Sequence, residues 1–166
     1  MTAAADASLL ALGDVCLHVT VRPSGPEEFC PGDVELSPGG SCAMVASQVA
    51  ALGRPVTMFG VAGDDDLAAQ LRSHLIADGV DCRRWASVAG PTARAAILVG
   101  PDGGHRVVVE QGGVTEPGEA LVAAMEEGAI PDGALCYVPG FPQYDPVRAA
   151  LAERRARLVC DFGFRP

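Results

Sequence analysis

The sequence predicts an α/β fold: a three-layer α/β/α sandwich with a mostly parallel sheet. Two observations carry that prediction. Apolar strand-like runs alternate with helix-periodic segments from residue 8 to residue 162. The chain also holds 20 Gly and 13 Pro, which suit many short connections. A third observation complicates the picture, because two β-rich excursions, at 16–38 and 92–110, interrupt the alternation. The 166 residues fit one domain with a real core, and an apolar fraction of 49% excludes intrinsic disorder. No apolar run approaches the ~18 residues of a membrane-spanning helix.

The elements follow in order. Residues 8–21 open with an apolar run and then alternate, as a buried strand leading to an exposed one would. Residues 22–38 are rich in Pro, Gly and acids, and read as a loop or an irregular edge strand. Residues 39–52 are small and apolar on nearly every face, predicting a buried helix stopped by Gly53 and Pro55. Residues 56–62 read as a central strand. Residues 67–78 show helical spacing at Leu67, Leu71 and Leu75, with Gly79 as the stop. A short strand is expected at 80–85. Residues 92–100 and 105–110 form a hairpin through Pro101-Asp102-Gly103-Gly104. A helix at 115–127, a strand at 134–138, a helix at 145–154 and a strand at 157–162 complete the series.

Formal net charge is −9, from 21 acids against 12 bases, and every base is Arg. That sign disfavours nucleic acid and anionic membrane as partners. Without Lys there is no Schiff-base lysine and no P-loop lysine. The 6 cysteines are scattered, with no C-x-x-C and no His at zinc-finger spacing, so buried reduced thiols are expected rather than a metal centre. The N-terminal 12 residues lack the basic start of a signal peptide, and the expected location is cytoplasmic.

Three features can carry chemistry. Gly39-Gly40 precedes a helix, where adjacent glycines permit close backbone approach and the helix terminus offers N–H donors; the alternative is a tight packing turn. Gly63-Asp64-Asp65-Asp66 clusters carboxylates that suit either a divalent cation or a helix start favoured by its dipole. Gly13-Asp14 ends an apolar strand, where a parallel sheet binds ligands and where an Asp also serves turns. His18 stands in an alternating strand facing water or a partner, and His74 and His105 read as solvated. The serine-hydrolase elbow, zincin, P-loop and dinucleotide fingerprints are all absent from the sequence.

Taken in order, the motifs resemble the ribokinase-like (PfkB) carbohydrate kinase family. They are Gly13-Asp14-Val15; then Pro38-Gly39-Gly40-Ser41-Cys42-Ala43-Met44-Val45-Ala46 with Leu52-Gly53; then Phe59-Gly60-Val61-Ala62-Gly63-Asp64-Asp65 and Asp78-Gly79-Val80-Asp81. Pro91-Thr92-Ala93, Pro101-Asp102-Gly103 and Glu110-Gln111-Gly112-Gly113 look like the family's second lid hairpin. Asp161-Phe162-Gly163-Phe164-Arg165-Pro166 looks like its D-x-N-x-R-P strand end.

The resemblance implies a sandwich with a projecting β-lid, formed here by 16–38 and 92–110, that covers the substrate and serves a homodimer contact. It implies transfer of the ATP γ-phosphoryl group to a hydroxyl of a sugar or nucleoside, with Mg²⁺. It implies substrate contacts at Asp14, His18, Gly39, Gly40, Met44, Gly113 and Gly140. Three of these positions or their neighbours depart from the family pattern. His18 replaces an Asp, Met44 an Asn, and Val114 the Asn of a G-A-N, so the pocket is expected to be less polar or eroded. The family's G-A-G-D segment, which supplies its general base, is not in the sequence. The expectation is therefore an N-terminal portion lacking the nucleotide-binding half, with no catalytic residue assignable. A binding or dimerisation module is the alternative, and an unrelated α/β enzyme would need a cofactor fingerprint that is missing.

Overall fold

The computed structural model describes residues 8–127 and 130–162. Nine strands and four helices are present among them: β1 (Leu9–Asp14), β2 (Cys16–Pro23), β3 (Gly32–Gly39), α1 (Ser41–Ala51), β4 (Val56–Ala62), α2 (Asp66–Ala77), β5 (Asp81–Ser87), β6 (Arg94–Val99), β7 (His105–Glu110), α3 (Pro117–Glu127), β8 (Leu135–Pro139), α4 (Asp145–Glu153) and β9 (Arg157–Asp161). A 3₁₀ turn, Pro142–Tyr144, precedes α4 and was not expected from the sequence.

β5-β4-β1-β8-β9 form one sheet, parallel throughout. Side-chain alternation sends neighbours in each strand to opposite faces. In β1 and β4, Ala11 and Met58 pack with Leu71 and Leu75 of α2 and Ala43 and Ala46 of α1. Leu12, Phe59 and Val61 pack on the other face with Leu121 and Met125 of α3 and Val147 and Leu151 of α4. These are the two cores of a three-layer sandwich, and each fully buried Leu contributes ~1.5–3 kcal/mol. The α/β/α prediction is correct.

β3-β2-β6-β7 form a second sheet. β2 runs antiparallel to β3 and parallel to β6, and β6 pairs antiparallel with β7. The two β-excursions therefore make one projecting layer. The run at 8–21 passes between the sheets at Val15, which is fully buried. Of 22–38, the second half is an edge strand and 24–31 its loop.

One expectation needs correction. α1 is not buried all round: Cys42, Ala43 and Ala46 face the sheet, whereas Met44 is 51% exposed. A helix in an outer layer can bury only one stripe, and its small residues keep that stripe narrow. β9 also exposes Leu158 and Val159, and Phe162 just after it is exposed as well. The segment 163–166 of the proposed strand-end motif lies outside the described residues.

Candidate substrate site

β1 is the strand at which chain order reverses, since β4 lies on one side and β8 on the other. Ligands of open α/β sheets gather at the carboxyl end of such a switch. Asp14 is the last residue of β1 and lines a cavity of about 310 Å³ between the sandwich and the second sheet.

The floor of the cavity comes from the sandwich: Asp14, Gly40 and Ser41 at the start of α1, Pro139 and Phe141 after β8, and Tyr144. Its roof is the concave face of the lid: Cys16 and His18 of β2, Ala95 of β6, and Val107 and Val109 of β7. Register explains that selection, because His18 pairs with Ala95, which in turn pairs with Val109. Ala93, Gln111, Val114, Thr115, Pro117 and Gln143 complete the rim.

Tyr144 is 1% exposed, and its phenolic O–H donates to the Asp14 carboxylate. The same phenolic oxygen accepts the Asp14 N–H at 3.3 Å. Burial, reinforced by the Asp14 charge, pushes the Tyr144 phenol far above its usual range, so it remains a donor. The Cys16 thiol is pushed up to about 12 by burial and by Asp14, and Cys42 rises for the same reasons. Both thiols stay protonated. Asp14 is thus an oriented acceptor in a cavity whose remaining polar groups are neutral.

Gly40 has φ 91°, a conformation that an L side chain rarely adopts. Gly39 is required for contact: a Cβ there would lie 1.9 Å from His18 Cδ2. The imidazole rests on that glycine and its Nε2 accepts the Gly40 N–H at 3.4 Å. His18 is therefore half-buried rather than solvent-facing, and burial lowers its pKa.

The structure gathers Asp14, His18 and Gly40 into one cavity, with Gly39 beneath the imidazole. Gly113 donates to the Pro91 carbonyl at 2.8 Å and holds the rim between Gln111 and Val114. Gly140 donates to the Asp161 carbonyl at 2.6 Å, between lining residues Pro139 and Phe141. Met44 lies outside the lining, one turn into α1. Sequence reasoning missed Cys16, Ser41, Gln143 and above all Tyr144, 130 residues from its partner. Nothing local in Phe141-Pro142-Gln143-Tyr144 marked it.

The acidic cluster starts a helix. Asp65 is the N-cap of α2, accepting from the Ala68 N–H at 3.0 Å, the Thr92 N–H at 3.0 Å and the Thr92 hydroxyl at 2.5 Å. Asp64 accepts from the Gly90 N–H at 3.0 Å. Partial burial works against the Asp65 charge, but these hydrogen bonds outweigh it and hold the carboxyl below its usual value. Among the described residues no three His, Cys, Asp or Glu gather as a metal site. A second concavity, of about 440 Å³ near Thr57 and Phe59, includes Arg83, already tied to Asp81 at 2.7 Å.

Comparison with known proteins bears on the family and the fold. Residues 6–157 match the pfkB family carbohydrate kinase. Over 84 residues the chain is 43% identical to the bifunctional protein HldE of Nitrosococcus oceani, covering 46% of this chain and 18% of that one. A ribokinase of Giardia lamblia superposes with a TM-score of 0.75 at 19% identity, over 96% of this chain and 53% of that one. A fructokinase of Xylella fastidiosa with bound ATP gives 0.72 at 20% identity, over 97% and 53%. The chain thus spans about half the length of these structures and less than a fifth of the curated relative.

Proposed function

Because the chain belongs to the pfkB family of carbohydrate kinases, we propose that the cavity at the end of β1 binds the phosphoryl acceptor, a sugar or nucleoside. The observation that carries this reading is the Asp14–Tyr144 pair. A carboxylate held by a buried donor, at a sheet switch point and under a lid, is a pre-organised acceptor for ligand hydroxyls. Ser41 and the N-terminus of α1 add neutral donors. The apolar roof of Ala95, Val107 and Val109 excludes water over the ligand.

The family reaction uses ATP with Mg²⁺, but the residues described here do not fit those groups. Asp64 and Asp65 direct their oxygens to Gly90, Thr92 and Ala68, and no other acidic cluster exists among the described residues. In this reading the nucleotide-binding half is supplied by polypeptide outside the 166 residues, which fits the exposure of Leu158 and Val159 on β9 and of Phe162 after it. This chain binds and orients the acceptor, and the partner half brings the phosphoryl group. Six free thiols suit a cytoplasmic setting.

A homodimer through the lid belongs to the same proposal. On the convex face, Leu36, Val19, Ala96 and Val108 form one row across four strands, and Val34, Val21 and Leu98 a second. Leu36 is 62% and Val34 66% exposed, so a second copy has an apolar surface to cover. The same rows, with Val114 buried where the family pattern is polar, favour a second reading: a binding or dimerisation module without turnover. A coupled phosphorylation assay of the 166-residue chain with sugars, nucleosides and ATP tests the division of labour. No turnover is expected, and turnover by the chain alone refutes it.

A further inference from the structure

His18 belongs to the lid yet touches the sandwich. Its ring lies on Gly39, and its Nε2 accepts the N–H of Gly40, the N-cap of α1. The N-cap N–H is ordinarily accepted by a side chain at the third helical position, which here is Ala43 and has no acceptor, so strand β2 supplies one from outside. A nitrogen that accepts a hydrogen bond carries a lone pair, which places the proton of the neutral ring on Nδ1. Nδ1 has no partner among the described residues. Protonating Nε2 would set one N–H against another and a cation against the positive end of the α1 dipole.

We propose that His18 is a positioning residue of the cavity: its neutral ring pins lid strand β2 to the N-cap of α1, and the site holds its ligand only while that pin is in place. The second clause rests on the acceptor-site reading above. The cavity that the ring lines also holds Asp14 of β1, which the Tyr144 hydroxyl engages, Cys16 of β2 and Tyr144 of the 3₁₀ turn, while Cys42 of α1 lies in the core beneath, its thiol donating to the Leu12 carbonyl. Further along the same lid face Glu35 of β3 pairs with Arg22 at 3.2 Å. β6 and β7 present Ala95, Val107 and Val109, none of them titratable. Cys16, Cys42 and Tyr144 are all raised, so they stay protonated while an imidazole titrates. Burial lowers the His18 pKa from 6.5, so the pin is complete above that value and weakens as pH falls below it.

The test follows the imidazole nitrogens and the Gly40 amide of the ¹⁵N-labelled chain by NMR from about pH 8 to about pH 4.5. The expected result is an Nδ1–H tautomer at high pH, a midpoint below the ordinary imidazole value, and a Gly40 resonance that moves with it. An Nε2–H tautomer at high pH, or a Gly40 amide indifferent to the titration, overturns the pin. Calorimetry with ribose and adenosine over the same range gives the functional readout. Affinity should weaken about 10-fold or more in the wild type, and by about 2-fold or less in His18→Gln, whose amide keeps an acceptor without a titratable proton. Wild-type affinity independent of pH overturns the positioning role. Binding of neither probe at any pH refutes the acceptor-site reading instead, and the resonances then decide the pin alone.

Discussion

Removing one oxygen from Tyr144 isolates the contact on which the site is built. In Tyr144→Phe the ring keeps its place, 1% exposed, but the Asp14 carboxylate loses its donor and the Asp14 N–H loses an acceptor. A hydrogen bond to a charged group contributes ~1.5–3 kcal/mol to stability, and the partner left behind is partly buried, which favours the upper half of that range. At about 2–4 °C per kcal/mol for a chain near this size, that upper half lowers the midpoint of thermal unfolding by about 5–12 °C. The companion Asp14→Asn removes the charge and leaves the phenol. If the pair acts as a unit, the double variant should show a coupling of ~1–3 kcal/mol in a denaturant cycle. Both single variants should also weaken sugar or nucleoside binding about 10-fold or more, because a free carboxylate is no longer aimed. A change in midpoint below about 1 °C together with additive free energies would refute the reasoning.

Three further outcomes follow from the same geometry. Thr92→Val removes the hydroxyl from a fully buried site and leaves Asp65 one donor short, with an expected loss of ~1–3 kcal/mol at neutral pH in chemical denaturation. Asp65 is held below 3.8, so its contribution is complete above that value and is lost as pH falls through the folded value; acid unfolding of the variant should therefore be flatter there. Gly39→Ala puts a Cβ 1.9 Å from the His18 ring, which must leave, and amide exchange across β2 and β3 should quicken while that of β4 is unchanged. Leu36→Asp with Val108→Asp charges the convex lid rows, and sedimentation should show a shift toward monomer with the cavity still folded.

The sandwich was legible because its signals are local. Period-3.6 spacing at Leu67, Leu71 and Leu75 fixes the buried face of α2, and all three pack on the same core. The turn at Pro101-Asp102-Gly103-Gly104 likewise fixed the hairpin of β6 and β7. The glycine pair at 39–40 marked the α1 end of the cavity, and both glycines lie there for the reasons of close approach and positive φ.

The rest of the site depended on pairings that no short window contains. That β2 lies parallel to β6, placing His18 beside Ala95 and opposite Gly39, is set by sheet order. Alternation showed a polar position at His18 and left open whether water or a partner surface would meet it; the surface that does so is the Gly39-Gly40 backbone, which no short window contains. Met44 resembled a substrate position by motif, yet helical phase turns it to solvent, 51% exposed. Tyr144 carries no motif at all, and its importance comes from a contact across 130 residues.

The central claim is that a sugar or nucleoside sits between Asp14 and the lid, and amide chemical-shift mapping during titration with ribose, fructose and adenosine tests it most directly. One of these ligands should shift the resonances of Asp14, His18, Gly40, Ser41, Gln111 and Tyr144, residues of one cavity drawn from five segments of chain. Asp14→Asn should abolish those shifts. Shifts confined to Thr57, Asp81, Arg83 and Arg84, in the second concavity, would contradict it, as would no shift with any of the three.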